Sequence, residues 1–318
     1  MLRRRNAEAF RTFIFPYAQE FLRLFIEGVV MSGDVTDILK VRRGVQGDVA
    51  YYDEYPKKHE LVIDIHHHYR RQRGGGFIET LLRDMDSAGV HKVCLFSSPP
   101  QEYSDEEDRD WKRIFKDYSD RIIGFGTIQP GRPKNDPEIV DEYYSKGFKG
   151  LKFLNPTRRY DDDKFLRYYE KAEDYGMPTL FHTGVVARKS VTERQNVSSA
   201  YMRPVYLDRI ARWCPKLKIV CAHMGDPWFS EAYNTSQKNP LLWLDISGKG
   251  IWLKAKAIWE HLWIRLRPEK LVFGLDEPSS QYTRLIHFWD TFFYEIGLSQ
   301  EQRDMIFGKN AAQILDIK

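Results

Sequence analysis

Apolar residues in this chain gather in short runs separated by longer amphipathic stretches. Eight runs stand out: Leu61–Ile65, Val90–Phe96, Ile122–Ile128, Phe148–Leu154, Pro178–Phe181, Leu217–Ala222, Leu241–Ile246 and Leu271–Phe273. Most are rich in β-branched or aromatic residues and are bounded by Gly, Pro, Asp or Asn, the marks of buried strands. Between them the apolar spacing is helical. Phe77–Ala88 brings Phe77, Leu81, Leu82 and Met85 to one face, and Asp136–Lys146 has Pro137 in its first turn. Phe165–Tyr175, Pro204–Trp213 and Ile251–Leu266 are further helices. Strands alternating with helices predict parallel strands joined by crossovers. Eight such units over about 250 residues predict a (β/α)8 barrel, the TIM-barrel class of α/β fold. A doubly wound open sheet is the alternative. No glycine-rich phosphate loop follows the first strand, however, and Gly74-Gly75-Gly76 lacks dinucleotide spacing.

Residues 1–60 precede the first strand and predict an N-terminal helical extension, with the barrel spanning 61–318. Phe10, Phe13, Tyr17, Phe21, Leu24 and Phe25 lie near one helical face, and Pro16 stands near the start of the main helix. A second short helix is expected after Asp34. So aromatic a stripe must be buried. It packs on the barrel, or it forms a lid or a subunit contact, which would make the protein a homodimer.

Composition narrows the function. With 318 residues, 42% hydrophobic, the chain can bury a large core. A net charge of +4, from 49 basic and 45 acidic residues, gives no case for nucleic acid. Cys94, Cys214 and Cys221 are too few and scattered for a disulfide framework; they read as buried free thiols in a reducing cytoplasm. Arg3-Arg4-Arg5 precedes an apolar stretch that carries Glu20, Arg23 and Glu27, too charged for a signal peptide or a membrane span. A small-molecule substrate, with no nucleic-acid or membrane partner, is the expectation.

The chemistry lies where the strands end. In Val62-Ile63-Asp64-Ile65-His66-His67-His68, alternate side chains share a face, so His66 and His68 point one way and His67 the other. In a barrel of this class function sits at the C-terminal strand ends. Lys152 lies on strand four, and His182, His223, Asp245 and Asp276 end strands five to eight. Four of the nine histidines thus fall at strand ends; His59, His67, His91, His261 and His287 read as structural or surface residues. Three imidazoles and a carboxylate, with water completing the shell, are the donor set of a catalytic divalent-metal site of the zinc type. Arg70, Arg71 and Arg73 after strand one, with Arg188 and Lys189 after strand five, could form a positive rim for carboxylate or phosphate, or simply a solvated basic loop. Trp228 and Phe229 after strand six could wall the substrate or serve ordinary packing.

These motifs resemble the amidohydrolase superfamily, and most closely its amidohydrolase-related branch, which includes aminocarboxymuconate-semialdehyde decarboxylase. The matching pieces run in family order from residue 61 to 316. They are Ile63-Asp64-Ile65-His66-His67-His68, Met85-Asp86-Ser87-Ala88-Gly89-Val90 and Gly147-Phe148-Lys149-Gly150-Leu151-Lys152. His182-Thr183-Gly184 and the run from Pro215 to Gly225 follow, then Leu244-Asp245-Ile246-Ser247-Gly248, Asp276-Glu277-Pro278 and Asn310-Ala311-Ala312. The resemblance implies one divalent ion, with zinc expected, held by His66, His68, His182 and Asp276. It implies His223 as a proton carrier beside the metal-bound water, with Asp276 also able to take a proton. It implies hydrolysis of an amide, ester or lactone on a small molecule, which the arginines of the rim would make anionic; the alternative is a non-oxidative decarboxylase or hydratase of an aromatic or muconate-like acid. A non-catalytic metal-binding protein is a third reading, against which the intact ligand set argues. In binuclear superfamily members a carboxylated lysine on strand four bridges two metals. Lys152 is expected instead to hold an anionic substrate or Asp276. Two departures stand out: Leu275 replaces the small hydroxyl residue usual before the aspartate, and the loop after strand one is short.

Overall fold

The computed structural model describes residues 59–70, 76–186, 196–259 and 266–317. All but the last two residues of the expected helical extension lie outside these, as do Arg71, Arg73, Arg188, Lys189 and His261. Eight parallel strands follow one another in chain order: β1 (Ile63–His68), β2 (Lys92–Phe96), β3 (Ile122–Ile128), β4 (Gly150–Phe153), β5 (Thr179–Phe181), β6 (Ile219–Cys221), β7 (Leu242–Asp245) and β8 (Leu271–Val272). Each pairs in parallel with the next. The last returns to the first through two backbone hydrogen bonds, Ile65 N–H to Phe273 O at 3.1 Å and Asp276 N–H to His66 O at 2.8 Å. The expected barrel is therefore the observed one. Every strand falls within its apolar run or overlaps it. Some are shorter, because burial extends past the last ladder hydrogen bond.

The crossover helices are α1 (Phe77–Ala88), α2 (Asp105–Asp117), α3 (Ile139–Lys146), α4 (Leu166–Asp174), α5 (Tyr206–Trp213), α6 (Phe229–Lys238) and α7 (Ile251–Ala257). After β8 come α8 (Tyr282–Glu295), α9 (Gln300–Asp304) and α10 (Asn310–Ile314). The apolar spacing did not mark α2, whose stripe is thin: Trp111 and Ile114 are its buried apolar residues. Capping specifies it instead. Ser104 accepts the Glu107 N–H, and Asp105, Glu106, Glu107 and Asp108 crowd the positive end of the helix dipole. In α8, Leu285, Phe288, Trp289, Phe292 and Phe293 are all buried, and so dense a run hides the period.

The barrel interior is apolar at one end and polar at the other. Ile63, Ile65, Cys94, Phe125, Leu180, Val220, Trp243 and Val272 pack with Ala311 and Ile314 of α10, which close the N-terminal end. Asn310 anchors that closure, its Nδ2 donating to the carbonyls of Pro268 at 2.7 Å and Leu271 at 2.8 Å. The three cysteines are buried free thiols, as expected. At the opposite end the strands finish in imidazoles and carboxylates.

Candidate metal centre

A bulge in β1 makes the site possible. Asp64 pairs with Val93 and His67 with Leu95, so two residues of β1, Ile65 and His66, face one of β2. The extra residue breaks the alternation. Ile63 and Ile65 point into the barrel, Asp64 and His67 point outward toward Tyr282, and His66 and His68 turn inward again. Without the shift, a strand with Ile63 and Ile65 inside would turn both histidines out.

Six side chains converge there. Asp276 Oδ1 lies 3.4 Å from His68 Nε2 and 3.8 Å from His66 Nε2, and its Oδ2 lies 3.7 Å from His223 Nε2. His223 Nε2 is 3.2 Å from His182 Nδ1, and Lys152 Nζ is 3.0 Å from His66 Nε2. Phe96 forms the floor, with ring centroids 5.0 Å from His66 and 5.1 Å from His68. The structure thus brings together His66, His68, His182, His223, Asp276 and Lys152.

The hydrogen-bond network assigns the tautomers. His66 Nδ1 donates to Asp245 Oδ2 at 2.8 Å, which leaves the Nε2 lone pair facing the centre. His223 Nδ1 donates to the Ser247 carbonyl at 3.2 Å, so its Nε2 accepts from His182 Nδ1. His182 Nε2 is then a bare lone pair, and it is buried without a hydrogen-bond partner. A buried acceptor with no donor is costly unless something electrophilic fills the place. A divalent ion fits this donor set.

Electrostatics keep the imidazoles neutral, the form that ligates metal. Burial, then the Lys152 ammonium, push His182 down to about 3 and hold His66 and His68 well below the usual range. Burial, then His66 and His182, do the same to His223. Asp276 moves the other way. Burial raises it to about 6, against the opposing pull of Lys152. Burial also brings Lys152 down to about 8, against the pull of Asp276 and Asp245.

Sequence reasoning gave no role to the residues that hold these groups in place. Asp245 Oδ1 accepts the His223 N–H at 2.8 Å and the Ser247 hydroxyl at 2.5 Å, while its Oδ2 orients His66. Asp64 joins β1 to β8 and α8: its Oδ1 accepts from the backbone of His66 and Leu275, and its Oδ2 from the Tyr282 hydroxyl. The signal was present as Asp-x-His in β1 and Asp-x-Ser at the end of β7, but an apolar-run reading treats a buried carboxylate as punctuation. His223, Met224 and Asp276 adopt left-handed φ of 56°, 51° and 49°, each costing about 1–3 kcal/mol. Hydrogen bonds from the strained peptides to Asp245 and to the His66 carbonyl offset part of that cost. Glycine is needed at 274: a Cβ there would lie 2.8 Å from the Cβ of His66.

The proposed rim is only partly described. Arg70 is exposed, and its charge acts on both Asp276 and His68. Arg71 and Arg188 fall outside the described residues. Trp228 packs beneath the Arg203 guanidinium, 5.5 Å from its ring centre. A cavity of about 290 Å³ lined by Tyr69, Phe77, Glu79 and Asp110 contains none of the imidazoles, so the strand ends, not cavity size, locate the centre.

The sequence matches the amidohydrolase family model over residues 63–317. No curated protein matches it. Among solved structures, 5-carboxyvanillate decarboxylase from Sphingomonas paucimobilis is similar at 16% identity and a TM-score of 0.53, over 81% of this chain and 99% of that one. A dihydroxybenzoic acid decarboxylase from Polaromonas sp. JS666, with bound manganese, is similar at 15% identity and a TM-score of 0.56, over 81% and 97%. A probable 2-pyrone-4,6-dicarboxylic acid hydrolase from Acinetobacter baumannii is similar at 15% identity and a TM-score of 0.51, over 80% and 99%. At these identities the likeness speaks for the fold. Among the described residues, no helix is long and apolar enough to cross a membrane.

Proposed function

The chain belongs to the amidohydrolase family, and on that premise we propose that it is a metal-dependent hydrolase of a small anionic amide, ester or lactone. One observation carries the metal reading: neutral imidazoles converge with Asp276, and the buried Nε2 of His182 has no other partner. His66, His68, His182 and Asp276 would hold a divalent ion; zinc is the expected ion, and manganese its rival, since one similar structure contains it. When bound, such an ion polarises the scissile carbonyl and lowers the pKa of water from 15.7 toward about 7.

The chain's own groups manage the protons. Asp276, which burial raises against the pull of Lys152, would take a proton from the attacking water. His223 Nε2 stands 3.7 Å from Asp276 Oδ2 and, on giving up the hydrogen bond that it accepts from His182 Nδ1, would pass that proton to a leaving group. Lys152 from within, and Arg70, Arg71 and Arg188 from the rim, would hold the substrate's negative charge, with Trp228 beside it. The proposed setting is the cytoplasm, with no nucleic-acid or membrane partner. Residues 1–60 are proposed as an extension distinct from the barrel, and a homodimer can be tested by light scattering.

Decarboxylation is the second reading. The buried Lys152 ammonium suits a carboxylate drawn into the barrel, and two similar structures are named decarboxylases of aromatic acids. Incubating the metal-loaded enzyme with panels of lactones, amides and hydroxybenzoates, then weighing the products, decides. Gain of water supports hydrolysis. Loss of carbon dioxide replaces it with the second reading.

A further inference from the structure

We propose that Lys152 is a built-in competitor of the metal: its ammonium takes the His66 lone pair that an ion at the strand ends needs. The inference rests on the metal reading above.

Lys152 is no surface lysine turned inward by chance. It is 1% exposed, and its stem rises from β4 inside the barrel. Its Nζ lies 3.0 Å from His66 Nε2, while the face of Phe96 receives the ammonium at 4.9 Å. His66 Nδ1 is committed to Asp245 at 2.8 Å, so Nε2 is the one atom His66 can offer a metal. That lone pair serves one partner at a time.

Competition has two parts. The ammonium must leave His66 before the ion can bind there. It must then share a poorly screened interior with a second cation, where like charges repel strongly. Asp245 and Asp276 are the carboxylates that face both cations, and Asp245 is already engaged by His66, His223 and Ser247. A lysine that served as a ligand, by carrying a carboxyl group, would have the opposite effect on metal affinity. The sign of the effect therefore separates the two roles.

The experiment measures affinity, not turnover. Wild type, Lys152→Met, Lys152→Gln and Lys152→Arg are titrated with zinc and with manganese against a competing chelator at one pH, with and without bicarbonate. Melting temperatures are recorded alongside. The Met and Gln variants should bind about tenfold tighter or more, since removing a like charge from the interior is a large electrostatic change. The Arg variant should gain nothing, and bicarbonate should have no effect. Should Met disturb the fold, Gln carries the same comparison. Equal or weaker affinity in the neutral variants, or wild-type affinity that rises with bicarbonate, would overturn the competition and leave the metal centre standing. If neither wild type nor variants took up an ion, the metal reading itself would fall, and this inference with it.

Discussion

Buried histidines meet two contrasting settings in this barrel, and the settings shift the imidazole in opposite directions. At the strand ends, His66, His182 and His223 are held neutral. Near the start of β1, His59 is just as enclosed. It stacks on Phe307 at 4.2 Å, with Nδ1 2.6 Å from Asp304 and Nε2 3.2 Å from Asp290. Burial opposes its charge, yet the two carboxylates outweigh burial and raise its pKa. Arg303 completes the ion cluster at 2.7 Å from Asp290. Burial alone does not fix the charge of an imidazole; the neighbours do. Lys152 and other imidazoles favour the neutral form, free to ligate, and two aspartates favour the charged form, which ties elements together.

The largest effects should come from breaking the neutral cluster. Asp276→Asn and His182→Ala should each lose metal or activity, where wild type holds about one ion per chain; full metal content and full activity in both would sink the ligand assignment. His223→Ala should keep most of its metal and lose rate by about 100-fold or more, the usual scale for a general acid or base. A metal-free preparation would move His223 among the ligands. Asp245→Asn should weaken metal binding by about 10–100-fold, because it no longer orients His66 as an anion does; chelator competition reads this directly, and an unchanged affinity would deny Asp245 that role.

The charged cluster should answer differently. Asp290→Asn removes the carboxylate shared by Arg303 and His59, which keep Gln300 and Asp304 as partners, and should cost up to about 3–5 kcal/mol of stability with no change in metal affinity. Denaturant melts and metal titration of one preparation check both halves. The smallest effect is the sharpest in sign. His59 has a folded pKa above its unfolded value of about 6.5, so its contribution is complete below that pH and fades as pH rises through the folded value. The strand-end imidazoles have folded values below about 6.5, so in metal-free protein their contribution is complete above that pH and fades on acidification. The stability difference between wild type and His59→Gln should shrink as pH rises above about 6.5 and through the raised folded value. A difference that grew with pH would contradict a charged His59.

Much of this was legible in the sequence, and the gaps have physical reasons. Every strand was marked by its apolar run, because parallel strands are buried on both faces. The inward direction of His66 and His68 was read correctly relative to each other. Their direction relative to Ile63 and Ile65 depended on a bulge that no residue type announces. The helix α2 was hidden by its charges and α8 by its aromatics, since both blur the apolar period. Asp64 and Asp245 went without roles because a carboxylate orienting an imidazole is a relation between strands far apart in sequence: Asp245 acts on a histidine 179 positions away.

The seal at the N-terminal end of the barrel has a consequence for how the protein is made. Ala311 and Ile314 of α10 fill the space between strands that precede them in the chain, and Asn310 fastens them to the start of β8. A ribosome delivers those residues after all eight strands. Until then the nascent sheet has an open, oily end, the kind of surface that chaperones hold and aggregates grow from. Loss of α10 would therefore act first on the yield of folded protein during synthesis, while the distant imidazoles of each molecule that did fold kept their neighbours.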